Sequence, residues 1–209
     1  MRLPPSVLLV LVLTPIALAQ TPSPSVAAPA PTAPSLDERW DLFLNETFQP
    51  ITLGAATFNS VISQATASNP LYGRKFWPAY PERFGAEFGD ITTQNFFGDF
   101  LLASAFHEDT RYVRRGPSYK LWPRITYAIS RCLITHTDAG RLTFNWSNVT
   151  GSAMSAALSN AYYPPASRTA GVTLIDWGSA VAGSGFANLF PEFWPDARAW
   201  FRRHLSPGR

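Results

Sequence analysis

Apolar positions along this chain recur mostly at three- and four-residue spacing, the signature of helices that bury one stripe. Leu36-Asp37-Glu38-Arg39 opens the first helix. Ser35 can cap it, Glu38 stands at the capping-box distance, and Trp40, Phe43 and Leu44 follow at helical spacing. Pro50 interrupts, and residues 51–67, rich in Ala, Gly, Ser and Thr, read as a second helix that Asn69-Pro70 ends. The aromatic- and proline-dense stretch 72–88 predicts a loop that lays its rings on the domain and passes into helix near Glu82. Gly85, Gly89 and Gly98 are small positions on the long segment 84–107. Each Gly costs about 1 kcal/mol in a helix interior, so something packs very close to this backbone.

Further helices are expected over residues 125–135, then after a cap at Asn148 or Thr150, and finally over 170–190. The middle one has a body, residues 151–157, made almost wholly of small residues and is stopped by Tyr163-Pro164-Pro165. Pro191 and Pro195 are expected to close the last, and Asp138-Ala139-Gly140 reads as a turn. No segment sustains period-two alternation and no Asn-Gly hairpin dipeptide occurs. The expected fold is all-α, a compact bundle of about five to six Gly/Ala-rich helices over residues 36–205.

The N-terminus departs from this pattern. A weakly positive start, an apolar run over residues 7–18 and Ala17-Leu18-Ala19 predict a signal peptide over 1–19. The run is too short for a spanning helix, which needs roughly 20 residues. Residues 20–35, made largely of Pro, Ala, Ser and Thr, predict a disordered tether. These features place the protein outside the cytoplasm, in the periplasm or outer envelope of a bacterium. Small residues at every fourth position resemble the close helix contacts of membrane bundles. Interior Gln94, Asn95, Asp99, Asp176 and Asn188 weigh against insertion, because such groups are expensive in hydrocarbon.

A single cysteine, Cys132, excludes an internal disulfide and reads as a buried small hydrophobe. The net charge of +3 is modest and does not by itself imply nucleic acid. The chemistry concentrates between Asp99 and Arg141, which holds two of the three histidines. Asn95, Asp99, Ala103, His107 and Arg111 fall at four-residue steps and predict one inward polar seam, in which Asp99 or Glu108 could orient His107. His107-Glu108-Asp109-Thr110-Arg111 lacks the second histidine of a zinc-protease helix, so no metal or cofactor is expected. Ser130-Arg131 with His136 and Asp138 resembles the third motif of PAP2-type lipid phosphatases, at shortened spacing and without their Pro-Ser-Gly-His segment. Candidate catalytic residues are therefore His107, Arg111, Arg131, His136 and Asp138. Arg111, Tyr112, Arg114, Arg115, Lys120, Trp122 and Arg124 form a basic–aromatic patch suited to anionic headgroups.

Several short elements carry a wider resemblance. They are Tyr72-Gly73-Arg74, Tyr80, Arg83-Phe84-Gly85, His107-Glu108-Asp109-Thr110-Arg111-Tyr112, Ile129-Ser130-Arg131 and Thr137-Asp138. Phe144-Asn145-Trp146-Ser147 and Ser159-Asn160-Ala161-Tyr162-Tyr163-Pro164 continue them. Together, over roughly residues 72–194, they resemble a family of uncharacterised exported bacterial proteins sharing His-x-Asp-x-Arg-Tyr and Ser-Asn-x-x-Tyr-Pro elements. The resemblance implies placement and fold, and brings no activity. The function expected is a non-enzymatic envelope domain that meets anionic lipid or another envelope protein. A His-dependent hydrolase of an envelope lipid or phosphoester is the rival.

Overall fold

The computed structural model describes residues 33–66, 68–73 and 75–205. The expected signal peptide and all but the last three residues of the expected tether lie outside the described residues. Helix α1 (Leu36–Phe48) begins as its sequence requires: the Ser35 hydroxyl accepts from the Glu38 N–H, and the Glu38 carboxylate accepts from the Ser35 N–H. α2 (Pro50–Thr66) follows one residue later, then α3 (Phe76–Asn95), which is interrupted at Trp77 by an extended backbone. The regular part of α3 starts several residues earlier than expected. Pro81 lies inside the helix, four residues after the extended Trp77.

A seven-residue π-helical segment, Phe96–Leu102, carries α3 directly into the short α4 (Ala103–Phe106). Trp40 and Phe43 of α1 pack against this segment, with ring centroids 5.1 Å apart for Trp40–Phe100 and 5.8 Å for Phe43–Phe96. Next come β1 (Glu108–Asp109), α5 (Leu121–Ser130), β2 (Ile134–Thr137), β3 (Leu142–Phe144), α6 (Trp146–Ser159), α7 (Ala170–Ala187) and α8 (Leu189–Leu205). The three strands form one antiparallel sheet in the order β1-β2-β3, with Asp109 opposite His136 and Thr135 opposite Thr143.

The helical class stands, with three departures. Thr135, expected at a helix end, lies in β2, and strands of two to four residues are too short to display alternation. The predicted turn at Asp138-Ala139-Gly140 is the hairpin between β2 and β3, with Gly140 at a φ of 76°. Asn145, rather than Asn148 or Thr150, caps α6. Helix also continues through Pro191 and Pro195. Pro191 sits in the first turn of α8, which needs no N–H donors.

Burial runs against hydrophobicity. α2 buries Ala56, Ser60 and Gln64 and leaves Phe58 65% exposed, with Val61 and Ile62 beside it. α6 buries four serines with Gly151 and Ala156 and exposes Met154 and Leu158. α7 exposes Leu174, Ile175 and Phe186. The largest fully buried side chains are Glu108, Glu192, Thr47 and Thr135. Scattered exposed apolar residues are ordinary, whereas whole helix faces of them mark an interaction surface. No described helix is long and apolar enough to cross a membrane.

The inverted interior works because small residues let backbones meet and hydroxyls bond back along their own helices. Ser60 Oγ donates to Ala56 O at 2.6 Å. At the crossing of α6 and the π segment, a Cβ on Gly151 would stand 2.6 Å from the Gly98 nitrogen. That contact is the close approach anticipated from the glycines of residues 84–107.

Candidate functional site

The predicted seam divides where the helix does. The π segment adds a residue to its turn, so four-residue steps lose register beyond Asp99. His107 then ends α4 in the left-handed conformation, φ 55° and ψ 44°. His107 and Arg111 therefore do not continue the face of Asn95 and Asp99. The Asn95 amide donates to Thr47 Oγ1 at 3.1 Å, and Asp99 bonds to Glu46 and Thr110. The His107 side chain is 82% exposed, and Arg111 folds back on Asp109 with bonds of 2.9 and 2.7 Å.

The candidate catalytic residues do not converge on one cleft. His107 Nδ1 lies 3.6 Å from Asp138 Oδ2, but the other oxygen of Asp138 accepts from Arg39 Nη2 at 2.5 Å. Thr135 and His136 are successive residues of β2 and so face opposite sides of the sheet. Arg131 donates to Thr135 Oγ1 at 3.3 Å, on the side away from His136. Burial, and then the Arg131 charge, lower the pKa of His136. Glu108 does not orient His107. Its carboxylate is buried and accepts from the Trp146 and Ser147 N–H groups at 3.1 and 2.9 Å, neutralising the start of α6.

The basic–aromatic patch is likewise divided. Arg114 and Arg124 both close on Asp196, and Arg124 Nε donates to Glu192 Oε1 at 2.6 Å. Glu192, fully buried, also accepts from the Tyr112 hydroxyl and from the Arg115 and Gly116 N–H groups. Burial alone would raise its pKa, but these donors, led by Arg124, hold it below the usual carboxylate range. The Arg115 guanidinium lies 4.1 Å from the Tyr127 ring centroid. Of the predicted set Arg115, Lys120 and Trp122 stand exposed on the surface, beside Tyr119 and Leu121. Arg114 and Arg124 are thus structural ion pairs, and the patch is corrected to a smaller one.

What the structure does assemble is a cleft of about 960 Å³ between the helices, whose lining includes the predicted residues Asn95, Asp99, Tyr112 and Arg131 and the interior polar groups Gln94, Asp176 and Asn188. Asp99 and Glu46 share a hydrogen bond within it; burial raises both carboxyl pKa values, and Asp99 raises that of Glu46 further. Asp90 accepts from the hydroxyls of Tyr162 and Tyr163, each at 2.5 Å. Its pKa is nevertheless pushed up to about 7 by burial, against the tyrosine bonds. Tyr163 belongs to the Ser-Asn-x-x-Tyr-Pro element, so that element fastens a cleft carboxyl. Asp176 Oδ2 and Arg131 Nη1 are buried without a partner. Of the five candidate catalytic residues, Arg131 alone lines this cleft.

Among the described residues no group of three His, Cys, Asp or Glu side chains is placed to hold a metal ion. Comparisons with protein families, with curated proteins and with solved structures find no match. Glu46, Asp90 and Glu192 escaped the sequence reading, and Asp176 entered it only as an interior polar group. Each is an isolated acid in an apolar or small-residue context, which marks it only after the helices are placed.

Proposed function

We propose that this is an exported, non-enzymatic domain of the bacterial envelope whose apolar helix faces lie against an anionic lipid surface. The inverted burial carries this reading. A helix that turns Ser60 and Gln64 inward and Phe58 and Ile62 outward is stable where its outer face meets something other than water. Cations stand exposed at the start of α5 and on α8. Lys120 stands beside Trp122, and exposed Arg198, Arg202 and Arg203 interleave with Trp194, Trp200 and Phe201 on α8. Amphipathic rings and cations of this kind suit the headgroup layer.

Vesicle flotation tests the reading. Residues 20–209 should float with vesicles containing phosphatidylglycerol, more weakly with phosphatidylcholine alone, and less as salt rises. Charge reversal at Lys120, Arg202 and Arg203 should reduce the anionic preference. Absence from both vesicle fractions would overturn the lipid reading and leave another envelope protein as the covering partner.

The hydrolase alternative rests on one observation, the His107–Asp138 approach of 3.6 Å on an open surface. Phosphoester and acyl-ester hydrolysis that disappears in His107→Ala would establish it. Activity equal in wild type, His107→Ala and His136→Ala would dismiss it.

A further inference from the structure

The cleft carries an inference separate from the lipid-facing surface, because its walls hold two buried atoms of opposite charge type without partners. Arg131 is 5% exposed, and its Nη1 makes no hydrogen bond. Among the described residues no carboxylate forms an ion pair with it. Asp109, the carboxylate that most influences it, is closed by Arg111. A buried guanidinium without an anion is costly, and an anion at Nη1 relieves that cost.

Asp176 supplies the opposite end. Its Oδ2 is buried, faces no donor, and belongs to α7 in the same cleft wall. Burial raises its pKa, as befits a carboxyl waiting for a cation. Both ends are placed relative to α7. Asn148 Nδ2 donates to both Cys132 O and Ser184 Oγ, each at 2.9 Å, which sets the chain beside Arg131 against Ser184. Asp176 lies eight residues from Ser184 along α7, roughly 12 Å at the helical rise. Ile91, Ala156 and Ala180 contribute apolar wall to the cleft.

We propose that the cleft binds an elongated zwitterion, a carboxylate or phosphate at Arg131 and an amine at Asp176 joined by an aliphatic stretch. Arg131 holds the anion through Nη1 while Nη2 stays on Thr135. Asp176 accepts from the amine, and the apolar wall takes the methylenes. The length of the ligand, set by α7, is the basis of selection.

Omega-amino acids serve as a ruler in isothermal titration calorimetry of residues 20–209. The expected result is that 8-aminooctanoate binds at least tenfold more tightly than 4-aminobutanoate. Arg131→Gln should abolish binding, Arg131→Lys should weaken it, and Asp176→Asn should erase the preference for the longer compound. If Arg131→Gln fails to fold, judged by circular dichroism, Arg131→Lys and Asp176→Asn decide the matter. No heat with any of the compounds at 10 mM, or binding indifferent to Arg131→Lys and Asp176→Asn, would overturn the proposal. The ligands are water-soluble and the variants lie off the apolar faces, so this outcome is independent of vesicle binding.

Discussion

Arg124 Nε donates to Glu192 Oε1 across 2.6 Å, and this pair fastens α5 and the loop before it to α8. Removing one partner of a buried pair strands the other charge. Glu192→Gln should therefore cost about 3–5 kcal/mol in urea unfolding, the range for breaking such pairs. A loss below about 1 kcal/mol, the exposed-pair range, would contradict the sealed arrangement.

The helix crossing at Gly98 and Gly151 makes a paired prediction. Gly151→Ala drives a methyl to 2.6 Å from backbone and should destabilise by about 1–3 kcal/mol, the cost of overpacking. Gly85, on α3, has nothing within 4 Å of a built Cβ. Gly85→Ala should stabilise by up to about 1 kcal/mol through helix propensity. Thermal unfolding of the two variants should shift in opposite directions.

Stability should peak in mildly acid solution. Glu192 and Asp196 have depressed folded pKa values, Asp196 through bonds from Arg114 and Arg124. Their contribution is complete above the unfolded carboxylate range, about pH 4.5, and is lost as pH falls through the folded values. Asp90 behaves oppositely. Its folded pKa is raised to about 7, so its contribution is present below the unfolded value and fades as pH rises through about 7. Unfolding midpoints should decline from pH 5 to about pH 7 and then level off, and Asp90→Asn should make that limb shallower, the other raised carboxyls Asp99 and Glu46 keeping part of it. An unchanged slope in the variant would dismiss Asp90 as its source.

Local rules were legible in the sequence and tertiary ones were not. Ser35 and Glu38 announce the start of α1 because a capping box needs only three residues of spacing. The glycines announced close packing, which Gly98 and Gly151 supply. His107 and Arg111 were misplaced because four-residue counting assumes an unbroken α-helix, and nothing in Phe96–Leu102 marks a π turn. Arg114 and Arg124 looked free because their acids, Glu192 and Asp196, lie about 70 to 80 residues away. The cleft as a whole was not legible for the same reason: Glu46, Asp90 with Asp99, Arg131 and Asp176 come from four separate parts of the chain.

The inverted surface is tested most directly by tryptophan fluorescence in vesicles containing phosphatidylglycerol with brominated acyl chains. Trp77, Trp122, Trp146 and Trp200 are exposed among apolar or aromatic neighbours. Bound protein should lose a large part of its emission to the bromines and become protected from acrylamide added to the water. Phe58→Ser with Ile62→Ser should weaken that binding while circular dichroism stays helical. Unquenched emission from vesicle-bound protein that remains open to acrylamide would show that the apolar faces do not meet lipid, and would contradict the account.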